Sequence, residues 1–181
     1  MLRRRPCNGG GKWRLHKLRS ADVSVDSSVV VDFYLTGNLA VLEGLFPGRM
    51  LVSDFVTTEL SRSDIQPGSA RVVTLSTDEE WAFFNDLRMR KRALGSGELG
   101  AISVAHFRNA ILLTNDRQAR SAAEQDGISV SGAIGVLECA IEIESLLPNE
   151  AVRILEDMIR EGAWISGELV ELFRQRILHG D

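Results

Sequence analysis

The sequence has little of the chemistry that builds disulfide, zinc or membrane-spanning structures. Its 181 residues include only two cysteines, Cys7 and Cys139, which lie far apart and form no CxxC pair. This spacing excludes a disulfide framework and a zinc knuckle, and it suits a reducing cytoplasm. No apolar run approaches the length that crosses a bilayer, so we expect no membrane segment and a cytoplasmic protein.

Several classes of α/β enzyme are excluded because their motifs are absent. The chain has no P-loop GxxxxGK[ST] and no GxSxG elbow. No lysine follows Lys91, whereas a phosphotransfer receiver domain needs one after its fifth strand. Ser28 stands where a haloacid-dehalogenase-like phosphatase needs its second aspartate. The three histidines are isolated, so no site built on histidine or cysteine ligands is predicted.

Charge is unevenly distributed along the chain. The net charge is -4, yet residues 1–20 hold seven basic residues and no acidic ones. No hydrophobic segment of the kind found in secretory signals follows them. We expect residues 1–20 to be a disordered tail, or the product of an over-extended start codon, rather than an RNA-binding arm.

From residue 22 onward, short runs rich in β-branched residues alternate with segments of helical periodicity. The predicted strands cover 22–26, 50–53, 71–75, 110–114 and 128–131. The predicted helices cover 28–35, 38–46, 54–62, 77–92, 97–108, 117–126, 133–144, 149–161 and 167–178. Strands separated by helices are typical of a parallel sheet. We predict an α/β domain over 21–145 and a C-terminal helical extension over 146–181 packed on the same domain.

Acidic residues recur where predicted strands end and helices begin. Asp26 ends the first strand, Asp116 follows the fourth, Glu59 lies on the helix after the second, and Glu98 lies in the first turn of another helix. Ligands of open parallel sheets bind at the carboxyl ends of the strands. Each acid taken alone has an ordinary explanation, because acids cap helices, complement helix dipoles or lie on solvated surfaces. We interpret Asp32, one and a half turns into the first helix, as solvated or salt-bridged rather than catalytic.

The four acids together indicate a cation. Carboxylates packed together repel one another unless a positive charge neutralises them. Mg²⁺ and Mn²⁺ do so with oxygen ligands, and such an ion activates water and stabilises the transition state of phosphodiester hydrolysis.

Four stretches in order resemble the PIN domain. They are DSSVVVDFYLTGNLAVLEGLF, VTTEL, GSGELGAISVA and LLTNDRQAR, and they are most similar to the VapC-like branch of bacterial and archaeal PIN proteins. That branch also continues with a pattern matched by RSAAEQDGISVSG, residues 120–132. The resemblance covers about residues 22 to 140 and continues weakly through GAWISGELVELF.

The resemblance implies a three-layer α/β/α fold with a five-stranded parallel sheet of order 3-2-1-4-5. It also implies Mg²⁺- or Mn²⁺-dependent cleavage of RNA by a metal-activated water. The family's catalytic acids fall on Asp26, Glu59, Glu98 and Asp116. We expect the first, third and fourth of these to hold the metal, with Ser28 supporting Asp26. Relatives often carry a second acid at the position of Asn115, a neutral and weaker ligand.

Substrate and partner expectations follow from the same resemblance. An acidic site needs neighbouring positive charge to bind RNA. The candidates for contacting RNA are Arg88, Arg90, Lys91, Arg92, Arg117 and Arg120. A small antitoxin protein and a homodimer are the expected protein partners, and the chain is expected to be a toxin ribonuclease. The alternatives are a PIN-fold binding or scaffold protein without catalysis and a DNA-directed PIN-like nuclease.

The C-terminal helices carry apolar residues that we expect in the core rather than in an interface. They are Leu155, Met158, Ile159, Leu169, Leu172, Phe173 and Ile177.

Overall fold

The computed structural model of the chain describes residues 16–179, so most of the predicted tail lies outside the described residues. Residues 16–20, which we assigned to that tail, are instead helical. The apolar side chain of Leu18 is buried in the core with 2% of its surface exposed. Lys17 Nζ donates a hydrogen bond to Ser129 Oγ at 2.8 Å. These two contacts tie this segment to the fold.

Five strands form one sheet in the order β3-β2-β1-β4-β5, and every neighbouring pair is parallel. They are β1 Val23–Val25, β2 Met50–Ser53, β3 Arg71–Val73, β4 Ile111–Leu113 and β5 Val130–Ser131. Val23 pairs with Met50 on one side and with Ile111 on the other, which makes β1 the central strand. The predicted order and parallel direction are confirmed.

Four of the strands are shorter than predicted: β1 and β4 lose one residue at each end, β3 loses its last two residues and β5 its first two. Asp26 has left β1 and caps the first helix, and Asp116 caps the helix that follows β4. Ser53 ends β2 and caps the next helix through a bond from Val56 N–H. The carboxyl edge of the sheet is therefore lined by capping side chains.

Nine helices surround the sheet in the described residues beyond 20. They are α1 Ser27–Leu35, α2 Leu39–Leu45, α3 Asp54–Ser61, α4 Asp78–Arg90, α5 Ser96–Phe107, α6 Arg117–Gln125, α7 Ala133–Glu142, α8 Pro148–Arg160 and α9 Gly167–His179. Helix α5 is the most deeply buried, and it packs on β1, β2 and β4 and on α3 and α4. Helix α2 packs on α7, α7 on α8, and α8 on α9. This is the expected α/β/α architecture.

The C-terminal helices contribute to the same core as the sheet. Leu155, Met158 and Phe173 are at most 1% exposed and belong to the core cluster. The expectation of burial is confirmed for these three and is wrong for others of the set. Ile159, Leu169 and Leu172 are 37%, 51% and 47% exposed, because they lie on the outer faces of their helices. Ile177 is partly buried against the core.

Two further absences apply to the residues that the structure describes. Cys139 is a buried free thiol, and Cys7 lies outside the described residues. No described helix is both long and apolar enough to cross a membrane.

Candidate active site

Asp26 occupies the first position after the central strand, and only 1% of it is exposed. Its Oδ1 accepts a hydrogen bond from the backbone N–H of Ser27 at 2.9 Å, which caps α1. Its Oδ2 accepts hydrogen bonds from the hydroxyls of Ser28 at 2.7 Å and Thr114 at 2.9 Å. Burial, reinforced by neighbouring carboxylates, raises the pKa of Asp26 to about 6 although the two hydroxyls lower it. The fold thus fixes this carboxylate with neutral donors.

Glu59 connects the start of α1 with the start of α5. Its Oε2 accepts a hydrogen bond from Ser27 Oγ at 2.9 Å, and its Oε1 accepts one from the backbone N–H of Gly97, also at 2.9 Å. A Cβ atom on Gly97 would lie 2.1 Å from Oε2 of Glu59. Only glycine therefore leaves room for Glu59 in this position.

Glu98 is half-buried in the first turn of α5. A Cβ atom on Gly95 would lie 2.7 Å from Oε2 of Glu98 and 3.9 Å from Oε1 of Glu59, so both carboxylates border this glycine. The charges of Glu98 and Glu59 both raise the pKa of Asp26, although less than burial does. The three acids therefore lie close enough together to repel.

Asp116 approaches the same place from β4. Its Oδ1 caps α6 by accepting a hydrogen bond from Ala119 N–H at 2.6 Å. Its backbone N–H donates to Thr114 Oγ1 at 3.1 Å, and the Thr114 hydroxyl in turn donates to Asp26. Fully buried Thr114 therefore links the first and fourth predicted acids through one hydroxyl.

Asn115 connects three segments at this edge through hydrogen bonds. Its Nδ2 donates to Asp32 Oδ2 at 2.6 Å, and its Oδ1 accepts from Ala133 N–H at 2.9 Å. Its backbone N–H donates to Ser28 Oγ at 3.3 Å. Both ends of the amide are thus engaged in joining α1, the end of β4 and the start of α7.

Two residues at this edge were missed by sequence reasoning. Asp32 is half-buried and accepts a hydrogen bond from the amide of Asn115, and no salt bridge to it occurs among residues 16–179. Burial raises its pKa. Its position one turn beyond Ser28 on the same helix was the signal for it. Thr114 stands in the LLTND stretch on which the resemblance rests, yet only its neighbours were singled out.

The chain matches the family model of the PIN domain over residues 22–178, which is most of its length. The chain belongs to the PIN-domain family. PIN domains are in general nucleases, and they usually use divalent metal ions. No curated protein matches the sequence.

The chemistry of this PIN domain's acids suits a hard divalent cation, because every candidate ligand atom is a carboxylate oxygen. Burial and the neighbouring carboxylates raise the pKa of Asp26, and a nearby positive charge would counter them by favouring its ionised form. Within residues 16–179, however, no group of three or more His, Cys, Asp and Glu side chains is arranged to hold a metal ion. The ligand type fits, whereas the carboxylates are not gathered into a ligand cluster.

The basic residues predicted to contact RNA fall into two groups in this PIN domain. Arg90 pairs with Asp86 at 2.6 Å and with Asp126 at 3.2 Å, and Lys91 donates to Gln125 Oε1 at 2.5 Å. Asp126 follows the last residue of α6, about 14 Å along the helix from its Asp116 end. Arg90 and Lys91 therefore have protein partners far from the acids.

The other predicted basic residues are placed differently. Arg88 and Arg92 are exposed on either side of that pair. Arg117 is exposed and Arg120 half-buried in the first turn of α6, immediately after Asp116. Arg120 donates to the carbonyl oxygen of Thr114 at 3.1 Å. Of the six, Arg117 and Arg120 are the two that this structure brings to the acidic edge.

Proposed function

We propose that this PIN domain is a metal-dependent endoribonuclease. The observation that carries the proposal is the environment of Asp26: a buried carboxylate at the end of the central strand, next to Glu59 and Glu98 and linked through Thr114 to Asp116. A fold does not keep mutually repelling acids at one edge for stability, and perturbed acids at a sheet edge are typical of functional sites.

In this proposal Asp26, Glu98 and Asp116 would hold Mg²⁺ or Mn²⁺. When bound, such an ion supplies Lewis acidity and positive charge beside the phosphodiester. The hydroxyls of Ser28 and Thr114 orient Asp26, and Glu59 is held by Ser27 and by the N–H of Gly97 where it can accept a proton or orient a water. Arg117 and Arg120 hold the RNA backbone beside the acids.

The test is cleavage of labelled single-stranded RNA and DNA of the same sequence by the purified protein with Mg²⁺, Mn²⁺ or EDTA. We expect cleavage of RNA with either metal and none with EDTA. Asp26→Asn should lower the rate by roughly 100-fold or more, because it removes a charged ligand. Asp86→Asn is the matched control, since it makes the same chemical change at a side chain that is 61% exposed on α4.

A second readout does not depend on cleavage. Mn²⁺ should raise the thermal unfolding midpoint of the wild-type protein and of Asp86→Asn, and leave that of Asp26→Asn unchanged, because only a folded site binds the ion. Equal rates for the wild type and Asp26→Asn would refute the assignment. Cleavage of DNA alone would favour the DNA-directed alternative.

A scaffold without catalysis is the second candidate, and it is favoured by one observation. The neutral Asn115 occupies a position where relatives often carry an acid. RNA binding that persists with EDTA, without cleavage under any metal, would support it.

We further propose a cytoplasmic toxin of the VapC-like branch, paired with a small antitoxin and acting as a homodimer. The support is the sequence resemblance alone. Induced expression should arrest growth, and co-expression of a small protein encoded beside it should restore growth. Light scattering of the purified protein should give the mass of a dimer. Growth that is unaffected by the wild type would remove the toxin role and leave the nuclease test untouched.

A further inference from the structure

A cavity of about 770 Å³ lies next to the acidic edge. It is bordered by β5, by the first turns of α6 and α7, and by the segment that leads into α9. Asn115 lines it, so the cavity begins at a residue that also contacts Asp32 and the end of β4. A cavity of this size accommodates a small-molecule-sized group such as a nucleotide.

Trp164 forms part of the cavity wall while 76% of its surface is exposed to solvent. It precedes α9 in the segment GAWIS. Leu169, in the first turn of α9, lines the same cavity, and 51% of its surface is exposed. An exposed indole offers a flat apolar face on which another ring can stack. Aromatic side chains beside a basic groove are the surfaces on which the bases of single strands stack.

Basic residues complete the wall on the side nearest the acids. Arg117 and Arg120 both line the cavity, and they follow Asp116 in the first turn of α6. Gly132 allows Asn115 and Arg120 to pack closely at this wall, because a Cβ atom there would lie 2.7 Å from Asn115 Oδ1 and 3.0 Å from Arg120 Nη2. The cavity wall thus combines cations that follow Asp116 in the chain with the exposed indole of Trp164.

We propose that this cavity is a subsite for one nucleotide of a single-stranded nucleic acid, next to the phosphate at the acidic edge. The base stacks on Trp164, and the phosphate lies against Arg117 and Arg120. The assignment rests on the proposed nuclease function for the direction of the strand, whereas the binding itself is independent of cleavage.

The test is fluorescence anisotropy with labelled single-stranded RNA in EDTA, where no metal-dependent cleavage occurs. Trp164→Ala should weaken binding about tenfold or more, and Trp164→Phe should stay within about threefold of the wild type, because a phenyl ring still stacks. Leu172→Ala is the matched control: it truncates an apolar side chain of α9 that is 47% exposed and does not line the cavity. Its affinity should equal that of the wild type.

Charge is tested separately through the salt dependence of binding. Arg117→Gln should weaken binding and reduce the slope of log affinity against log salt by about one, because one phosphate contact is lost. Arg153→Gln, an exposed arginine of α8 outside the cavity, is the control and should leave the slope unchanged. Repeating both series with DNA of the same sequence distinguishes an RNA subsite from one for either nucleic acid.

Equal affinities for Trp164→Ala and Leu172→Ala would overturn the subsite. So would a Trp164→Ala protein that changes from dimer to monomer in light scattering while its RNA affinity is unchanged, since the indole would then cover a second copy of the chain. The two proposals fail separately. Wild-type protein that cleaves RNA without any effect of Trp164→Ala on binding loses only the subsite, and tight Trp164-dependent binding without cleavage loses only the nuclease.

Discussion

Two acidic side chains are buried among the described residues, and their environments have opposite effects on ionisation. Glu80 is 2% exposed, and the N–H groups of Ser76 and Thr77 with the guanidinium of Arg108 lower its pKa to about 2. Asp26 is equally buried but its pKa is raised to about 6. The carboxylate of Glu80 thus faces a guanidinium, whereas that of Asp26 faces neutral hydroxyls and two further carboxylates. This difference supports the proposal that Asp26, rather than Glu80, belongs to the active site.

The stability of the metal-free protein should depend on pH through Asp26. Its pKa rises from the ordinary 3.8 to about 6 on folding, so the folded state favours the neutral carboxyl. That contribution is present below about pH 4 and is lost as the pH rises to about 6. Asp26→Asn should therefore raise the free energy of unfolding by about 3 kcal/mol at pH 7.5 and change it by less than about 1 kcal/mol at pH 4.

Urea unfolding in EDTA at the two pH values measures this difference. Asp86→Asn is the control: it makes the same chemical change in a surface ion pair with Arg90, and it should change the free energy of unfolding by less than about 1 kcal/mol at either pH. A loss of stability in Asp26→Asn of the same size at both pH values would mean that the hydrogen bonds from Ser28 and Thr114 outweigh the charge.

The sequence predicted well where the acidic residues lie in the fold, and poorly which side chains form hydrogen bonds with one another. The four acids lie at the predicted edge because the ends of parallel strands share one side of a sheet. The bond between Asn115 and Asp32 joins residues 83 positions apart in the chain, and no local pattern indicates it. Their amide and carboxylate meet only because α1 and the end of β4 are neighbours in space.

At the level of elements, Gly97 in the first turn of α5 determines where the Glu59 carboxylate lies. Alanine is the better helix former by about 1 kcal/mol, so glycine there is locally unfavourable. Glycine nevertheless fits this position, because the Glu59 carboxylate lies where a Cβ atom of residue 97 would be. The N–H of Gly97 also donates a hydrogen bond to Glu59. Helix propensity is thus subordinate to the placement of an acid.

We expect Gly97→Ala to leave the domain folded while displacing Glu59, and therefore to lower nuclease activity by roughly 10- to 100-fold. Thermal unfolding and RNA cleavage measured on the same preparation separate the two effects. Gly44→Ala is the matched control: Gly44 lies within α2, and a Cβ there would meet nothing within 4 Å. It should stabilise the fold by about 0.5–1 kcal/mol without changing activity.

A Gly97→Ala protein with normal cleavage would show that the position of Glu59 is not needed. If Gly97→Ala unfolds while Gly44→Ala stays folded, the role of Gly97 is in packing.

The elements themselves were predicted closely from hydrophobic periodicity and capping residues. Helix α4 begins at a capping box between Thr77 and Glu80, a local signal that the sequence displays directly. Strand ends were less well predicted, because a residue such as Asp26 belongs to both a strand-like sequence pattern and a helix cap. Whether such a residue pairs or caps is decided by the neighbouring strand.

At the level of the whole molecule, the C-terminal helices are structurally continuous with the nuclease fold. Ala151 and Ile154 of α8 and Phe173 of α9 belong to the same core cluster as Val25 of the central strand. The family match reaches residue 178, beyond the point at which the sequence resemblance becomes weak. Amphipathic helices alone do not reveal whether their apolar faces meet the core or a partner, which is why burial differs among their residues.

The C-terminal helices and the sheet should therefore unfold together. Phe173→Ala removes a side chain with no exposed surface, so it should lower the free energy of unfolding by about 3–5 kcal/mol. Leu172→Ala, its neighbour with 47% exposed, should change it by less than about 0.5 kcal/mol. In a background carrying Trp13→Phe and Trp164→Phe, urea unfolding followed by circular dichroism and by the fluorescence of Trp81 on α4 should give one transition at the same midpoint in each variant. If Phe173→Ala instead lowers an early helical transition and leaves the Trp81 transition unchanged, α8 and α9 form a separate unit, and the cavity that α9 borders opens without unfolding of the acidic edge.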